Sequence, residues 1–251
     1  MQPKMKTTLY ISIILMIILE IRMMNCESGL GSNKQLHFVL VHGAGHGGWC
    51  WYKIRSLLEA AGHKVTCLDL KCSGIEPTDF NTVFTFDDYN QPLTTFMSSL
   101  SPNHKVIMVG HSAGGSTVTD VVHKFADKVP MAIYVAAAMV NNNSSIVSTD
   151  KYSSNQDFIL ASMLLRPSPA RALHSANVVK NGCLENIVVP RVFIKTMKDK
   201  LFKPERQESM IKQWPPSKVF AIDESDHSPF FSTPYVLFAL LLEAATSIKM
   251  P

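Results

Sequence analysis

The sequence predicts an α/β fold on a mostly parallel, doubly wound sheet, and three observations carry that expectation. Six short apolar runs rich in β-branched residues recur along the chain, helical stretches lie between them, and 251 residues are enough to bury a sizeable core as one unit. The runs fall at residues 37–41, 64–68, 105–109, 131–135, 191–194 and 218–222, each short and apolar enough to be a strand buried on both faces. Helices are expected at 51–61, 86–100, 114–125, 205–213 and 233–247, so that strands and helices alternate, as a parallel sheet covered on both sides requires. The rhythm breaks after Ala138, where Asn141, Asn142, Asn143 and a Ser/Thr-rich stretch lead to one helical segment at 156–165, ended by Arg166-Pro167. Residues 139 to about 189 therefore read as an insertion above the sheet, a cap rather than part of the strand order.

Composition narrows the partners. Apolar residues make up 46% of the chain and charged residues 18%, and the net charge of +4 is spread out rather than gathered into a basic block, which argues against nucleic acid. Cys26, Cys50, Cys67, Cys72 and Cys183 are odd in number and show neither Cys-x-x-Cys spacing nor a nearby His pair, so they imply no zinc site and no disulfide framework. They read as reduced and mostly buried. At the N-terminus, Lys4 and Lys6 precede an apolar run over 9–19 that Glu20 and Arg22 close, which is the anatomy of a signal peptide and too short for a comfortable membrane span of about 20 residues. Two readings stand: a working signal, which sends the protein to the secretory pathway, or an uncleaved extension, which leaves it in the cytoplasm. The odd cysteine count weighs against secretion, and so does the scarcity of N-x-[ST] sites, which occur only at Asn142 and Asn143. In either case residues 1–30 are excluded from the fold and 31–251 form the domain.

The chemistry-bearing pattern is Gly110-His111-Ser112-Ala113-Gly114, set between an apolar strand and a helix. A nucleophile on a sharp strand-to-helix turn sits in a strained backbone with no room on its flanks, which the two glycines relieve, and the helix start supplies amide donors for an oxyanion. A second segment, His42-Gly43-Ala44-Gly45-His46-Gly47-Gly48, follows the first strand, where the other half of such an oxyanion hole belongs; the amides of Ala44 and Ala113 are the expected donors. His42 and His46 have no acidic or histidine partners at metal-ligand spacing, so a structural role in the loop is expected of them and no metal. A serine hydroxyl needs a base, and the base needs an acceptor that holds one tautomer. Of the histidines after Ser112, His123 lies in a helix and His174 in the insertion, which leaves His227 on the polar loop after the last strand. Asp199, after the fifth strand, is the expected acid; Asp223 and Asp226 compete, but sit beside His227 as loop or capping residues do. Met163 and Leu164 on the inserted helix, with His111, are candidate substrate contacts, although core packing explains Met163, Phe230, Phe231 and Phe238 equally well.

Taken together, Val41-His42-Gly43-Ala44, His46-Gly47-Gly48-Trp49-Cys50-Trp51-Tyr52-Lys53, Asp69-Leu70, Ser73-Gly74, Gly110-His111-Ser112, Met197-Lys198-Asp199-Lys200 and Asp226-His227 resemble the plant methylesterase and hydroxynitrile lyase family over nearly all of residues 36–249. The resemblance implies an α/β-hydrolase fold with a small cap, no metal and no organic cofactor. It also implies a small-molecule ester as partner, such as the methyl ester of salicylate, jasmonate or indole-acetate, and leaves a homodimer open. Lyases of the family carry threonine where Ala44 stands and lysine directly after the histidine, where this chain has Ser228, so the esterase branch is the better match. Three departures stand out: an insertion shorter than the family's cap by some tens of residues, Ala113 in place of a larger apolar residue, and the leader. The short cap keeps open a second reading, a hydrolase-like binding protein with weak or no turnover; a lyase is the third.

Overall fold

The six apolar runs assemble side by side. In the computed structural model, which describes residues 35–139, 154–176 and 189–247, strands β1 (His37–Val41), β2 (Lys64–Leu68), β3 (Ile107–His111), β4 (Met131–Val135), β5 (Arg191–Thr196) and β6 (Lys218–Ile222) form one sheet. Their order is β2-β1-β3-β4-β5-β6, and every neighbouring pair is parallel. The α/β class expected from the strand and helix rhythm is the observed one.

Side-chain alternation divides the core between the two faces. Val39, Val41, Met108, Ala132, Tyr134 and Phe193 point to one side, against helices α2 (Phe86–Ser99), α3 (Gly114–Lys124) and α6 (Pro204–Gln213). Phe38, Leu40, Ile107, Val109, Ile133 and Ile194 point to the other, against α1 (Tyr52–Ala60), the short α7 (Pro229–Ser232) and α8 (Pro234–Ser247). Two-sided burial explains why these strands read as continuous apolar runs rather than alternating ones. Helix starts follow local chemistry: the Thr85 hydroxyl accepts the Asp88 amide at 3.1 Å ahead of α2, and Pro204 opens α6 at a position where a missing amide hydrogen costs nothing.

The structure moves several expected boundaries. β3 begins two residues later than 105–109 and ends on His111, inside the pentapeptide: Gly110 pairs with Val41 and Tyr134, and His111 with Val135. Lys105 instead lies at the surface with its ammonium on the Asp127 carbonyl, while a glycine with no strand propensity of its own is held in the ladder by neighbours on both sides. The helix expected over 233–247 is observed as α8, which Pro234 opens, and a separate one-turn helix, α7, opened by Pro229, precedes it. Of the insertion, α4 (Asn155–Leu164) matches the expected segment, and the one-turn α5 (Ala170–His174) has no periodic signature to reveal it. The leader, Cys26, Cys183, Asn142, Asn143 and the remainder of the insertion lie outside the described residues. Cys50 and Cys72 are buried thiols and Cys67 is partly buried; among the described residues, no helix is long and apolar enough to cross a membrane.

Parallel order β2-β1-β3 means that the chain leaves β1 to one side for β2 and returns to its other side for β3, which opens a crevice beyond the carboxyl ends of β1 and β3. At that point the backbones come close. A Cβ on Gly114 would stand 2.4 Å from the His42 carbonyl oxygen, and one on Gly115 would stand 2.3 Å from that of Ala138. Both contacts are with backbone, which cannot swing aside. Gly115→Ala is therefore expected to cost about 1–3 kcal/mol, the range for overpacking a tight core, seen as a lower urea midpoint at unchanged slope; a midpoint equal to that of the wild type would show that the chain after β4 yields freely.

Candidate active site

The crevice is where the candidate residues meet. Ser112 follows β3 with φ +51, a left-handed conformation that costs a non-glycine residue energy and turns the chain sharply from strand into α3. The turn is held by the Ala138 amide, which donates to the Ser112 carbonyl at 2.9 Å, and by the Ser112 amide, which donates to the Val135 carbonyl at 3.4 Å. Asp199 lies on the loop after β5 and His227 on the loop after β6. His227 Nε2 lies 2.9 Å from Ser112 Oγ, and its Nδ1 lies 2.7 Å from Asp199 Oδ2. Since a carboxylate oxygen only accepts, Nδ1 carries the proton and Nε2 is left to accept from the serine hydroxyl.

Asp199 is buried and heavily supplied with donors. Its Oδ1 accepts the amides of Leu201 and Phe202 at 2.9 and 2.7 Å, and its Oδ2 accepts the Thr196 hydroxyl at 3.0 Å besides His227. Gln207 on α6 braces the turn, donating to the Thr196 and Phe202 carbonyls at 3.1 and 2.7 Å and accepting the Thr196 amide at 3.1 Å. Sequence reasoning missed Thr196 and Gln207. Thr196 stands three residues before the acid at the end of a strand, a recoverable signal, whereas Gln207 is one polar residue among many on α6. Of the competing acids, Asp223 is exposed, and Asp226 accepts the Ser228 amide at 2.9 Å, a loop-capping contact.

The glycine-rich loop after β1 packs against Ser112: a Cβ on Gly43 would lie 2.9 Å from Ser112 Cβ. Among the described residues outside regular helices and strands, no backbone carbonyl takes up the amide of Ala44 or of Ala113, the two donors expected for an oxyanion. His42 and His46 hold the loop from within. His42 Nδ1 donates to the Gly43 carbonyl at 2.8 Å while Nε2 accepts the Leu70 amide at 3.1 Å, and burial lowers its pKa. His46 Nδ1 donates to the Ala44 carbonyl at 3.1 Å with the ring stacked on Trp49, and burial lowers its pKa to about 4. No group of three His, Cys, Asp or Glu side chains among the described residues could hold a metal ion.

The three expected substrate contacts stand in different surroundings. His111 is 1% exposed and its Nε2 donates to the His227 carbonyl at 2.7 Å, with the ring against Phe230, so it supports the histidine loop from beneath; as a strand residue its side chain points into the sheet's packing rather than over the crevice. Burial, then the neighbouring His227 and His46, hold its pKa far below the ordinary histidine value. Met163 is 75% exposed and Leu164 is at the surface too, so neither is packed in the core; it is Leu165 that turns inward to it.

With this geometry in place, three comparisons bear on it. Residues 37–166 match the family described as the alpha/beta hydrolase fold. The chain is 43% identical to pheophorbidase of Raphanus sativus over 260 residues, 88% of this chain and 98% of that protein, and 43% identical to the pFDCC methylesterase MES16 of Arabidopsis thaliana, with 87% and 98% covered. The crystal structure of methylesterase MES16 from Arabidopsis superposes with a TM-score of 0.77 at 45% identity, covering 85% of this chain and all of that one. An alignment of 260 positions exceeds what 88% of 251 residues can fill, so the radish protein carries stretches that have no counterpart here.

The neutral histidines make stability depend on pH. For His46 the folded-state pKa is about 4 against 6.5 in the unfolded chain, so unfolding takes up a proton between those values. Stability is thus expected to decline as pH falls from 6.5 to about 4 and to lose nothing more from this group below that. Urea unfolding across the interval checks it: His46→Gln should flatten the decline, and an unchanged slope would assign it to other groups.

Proposed function

The chain is a carboxylic ester hydrolase that belongs to the plant methylesterase branch of the alpha/beta hydrolase fold, and on that premise we propose that it cleaves methyl esters of carboxylic acids through an acyl-enzyme at Ser112. The observation that carries this reading is the unbroken line from Asp199 Oδ2 to His227 Nδ1 and from His227 Nε2 to Ser112 Oγ, at 2.7 and 2.9 Å. His227 takes the hydroxyl proton as Ser112 attacks the ester carbonyl, and Asp199 steadies the imidazolium that forms. The amides of Ala44 and Ala113 receive the oxyanion. As the intermediate collapses, His227 returns the proton to methoxide and methanol leaves; water, activated by the same imidazole, then releases the acid and frees Ser112.

The acid component is a small hormone-type acid, by the resemblance on which the sequence reading rests. The names of the two relatives at 43% identity favour a second reading, in which it is a larger acid of the pheophorbide kind. Ser228 follows His227 and brings no cation for a leaving cyanide, which favours ester cleavage over the lyase reaction.

Hydrolysis of methyl salicylate, methyl jasmonate, methyl indole-acetate and pheophorbide, followed by methanol release, tests the reading. Turnover of at least one ester is expected, with Ser112→Ala lowering it by about 10³-fold or more and Asp199→Asn by at least about 10²-fold, since the wrong histidine tautomer then faces the serine. A folded protein inert on every ester would sink the proposal in favour of a binding protein, and activity that survives in Ser112→Ala would sink the acyl-enzyme at Ser112.

A further inference from the structure

A backbone donor can serve an oxyanion only if it stays aimed, and the loop that carries the Ala44 amide is built largely of glycine, with Gly45 at φ +75. What aims it is the His42 ring together with a line of peptide groups. The Ala44 amide shares its peptide plane with the Gly43 carbonyl, and that carbonyl accepts two donors, His42 Nδ1 at 2.8 Å and the His46 amide at 3.3 Å. The His46 amide in turn shares its plane with the Gly45 carbonyl, which accepts the Arg166 amide at 2.9 Å. Hydrogen bonds through successive peptide groups polarise one another and fix each other's direction. The line therefore begins at Arg166 and ends at the amide assigned to the oxyanion.

Arg166 itself is held from two sides. It follows α4, whose Asp157 lies near the opposite end of that helix and accepts Lys53 Nζ at 2.6 Å and the Tyr52 hydroxyl at 2.9 Å, both from α1. Its guanidinium donates to the carbonyls of Gly74, Glu76 and Thr78, at 3.2 Å for Gly74. The loop with those carbonyls lies back to back with the glycine loop: a Cβ on Gly47 would stand 2.5 Å from Gly74 Cα, and Asp69 joins the two by accepting the Gly48 amide at 2.6 Å and the Ile75 amide at 3.0 Å. A planar fork that reaches three carbonyls is a task that lysine cannot perform.

We propose that Arg166 is a positioning residue for the oxyanion site, its side chain anchored on the Gly74–Thr78 carbonyls so that its backbone amide, through the Gly45 and Gly43 peptide groups, aims the Ala44 amide. The proposal rests on the esterase reading above and on the role given there to Ala44. It makes the end of the cap helix part of the machinery that stabilises the transition state.

Two variants separate the parts. Arg166→Met removes the fork and keeps the amide; Arg166→Pro removes both, and Leu165 at φ −62, ψ 137 already has the backbone that a following proline requires. The readouts are kcat and KM on the best methyl ester, with affinities for a trifluoromethyl ketone, which adds Ser112 to form an oxyanion, and for the product acid, which does not. Loss of one oxyanion donor lowers kcat by about 10²–10³-fold, so a misaimed one should lower it by about 10-fold in Arg166→Met and about 10²-fold in Arg166→Pro. KM and product-acid affinity should stay within a factor of about three, while ketone affinity falls in step with kcat. Equal kcat in the wild type and Arg166→Met, or a parallel loss of product-acid and ketone affinity, would overturn the proposal. If Arg166→Pro does not fold, Arg166→Met alone decides by the same criteria. A wild type that hydrolyses no ester would instead overturn the esterase reading, and this inference with it.

Discussion

The structure turns on one close approach, that of the β3–α3 turn to the loops after β1 and β4. Ser112 at φ +51 can exist there only because Gly110, Gly114 and Gly115 admit the backbone of neighbouring segments, including the carbonyls of His42 and Ala138, where any side chain would collide. Strain of this kind persists when surrounding contacts over-determine it. Here the parallel ladder on both sides of β3 and the Ser112 hydrogen bonds to Val135 and Ala138 do so. The same crowding that forces the turn also thrusts the serine hydroxyl into the crevice, so the packing constraint and the chemistry share one origin.

Around that fixed point the partners arrive on loops after β1, β5 and β6, all at the carboxyl ends of strands. A parallel sheet gathers such loops on one edge whatever their distance in sequence, which is how Asp199 and His227 reach a serine 87 and 115 residues away. Each is then tied down by backbone. Two amides and the Thr196 hydroxyl hold Asp199, and His111, from the strand that carries the serine, holds the His227 carbonyl. Protons on the imidazoles are placed by the same means: a carbonyl opposite one ring nitrogen of His42, His46 and His111 leaves each with one tautomer, and burial keeps the three neutral.

The inserted helix α4 links to this arrangement by charge at one end and by backbone at the other. Burial works against the Asp157 carboxylate, but hydrogen bonds from Lys53, Ser154 and Tyr52 outweigh it and pull its pKa below the usual range. Its apolar residues Phe158, Ile159 and Met163 remain exposed, so the helix is fixed by these polar contacts and by Ala161 and Leu165 rather than by burial of a whole apolar face.

By itself the sequence determined the elements and the candidate site residues. Two-sided burial writes strands as apolar runs, a serine between glycines marks a strained turn, and chain order singles out Asp199 and His227, because each of these is a local or ordered property of the chain. What it left undecided depends on contacts between residues far apart. β3 extends into the pentapeptide because neighbours on both sides pair with Gly110, His111 faces inward because strand alternation puts it beneath His227, and Met163 and Leu164 stand in solvent because the cap helix packs through other residues. Arg166 reads in sequence only as the end of a helix before a proline. Its line of peptide groups to Ala44 exists solely in three dimensions, since backbone hydrogen bonds carry no residue identity from which a sequence could announce them.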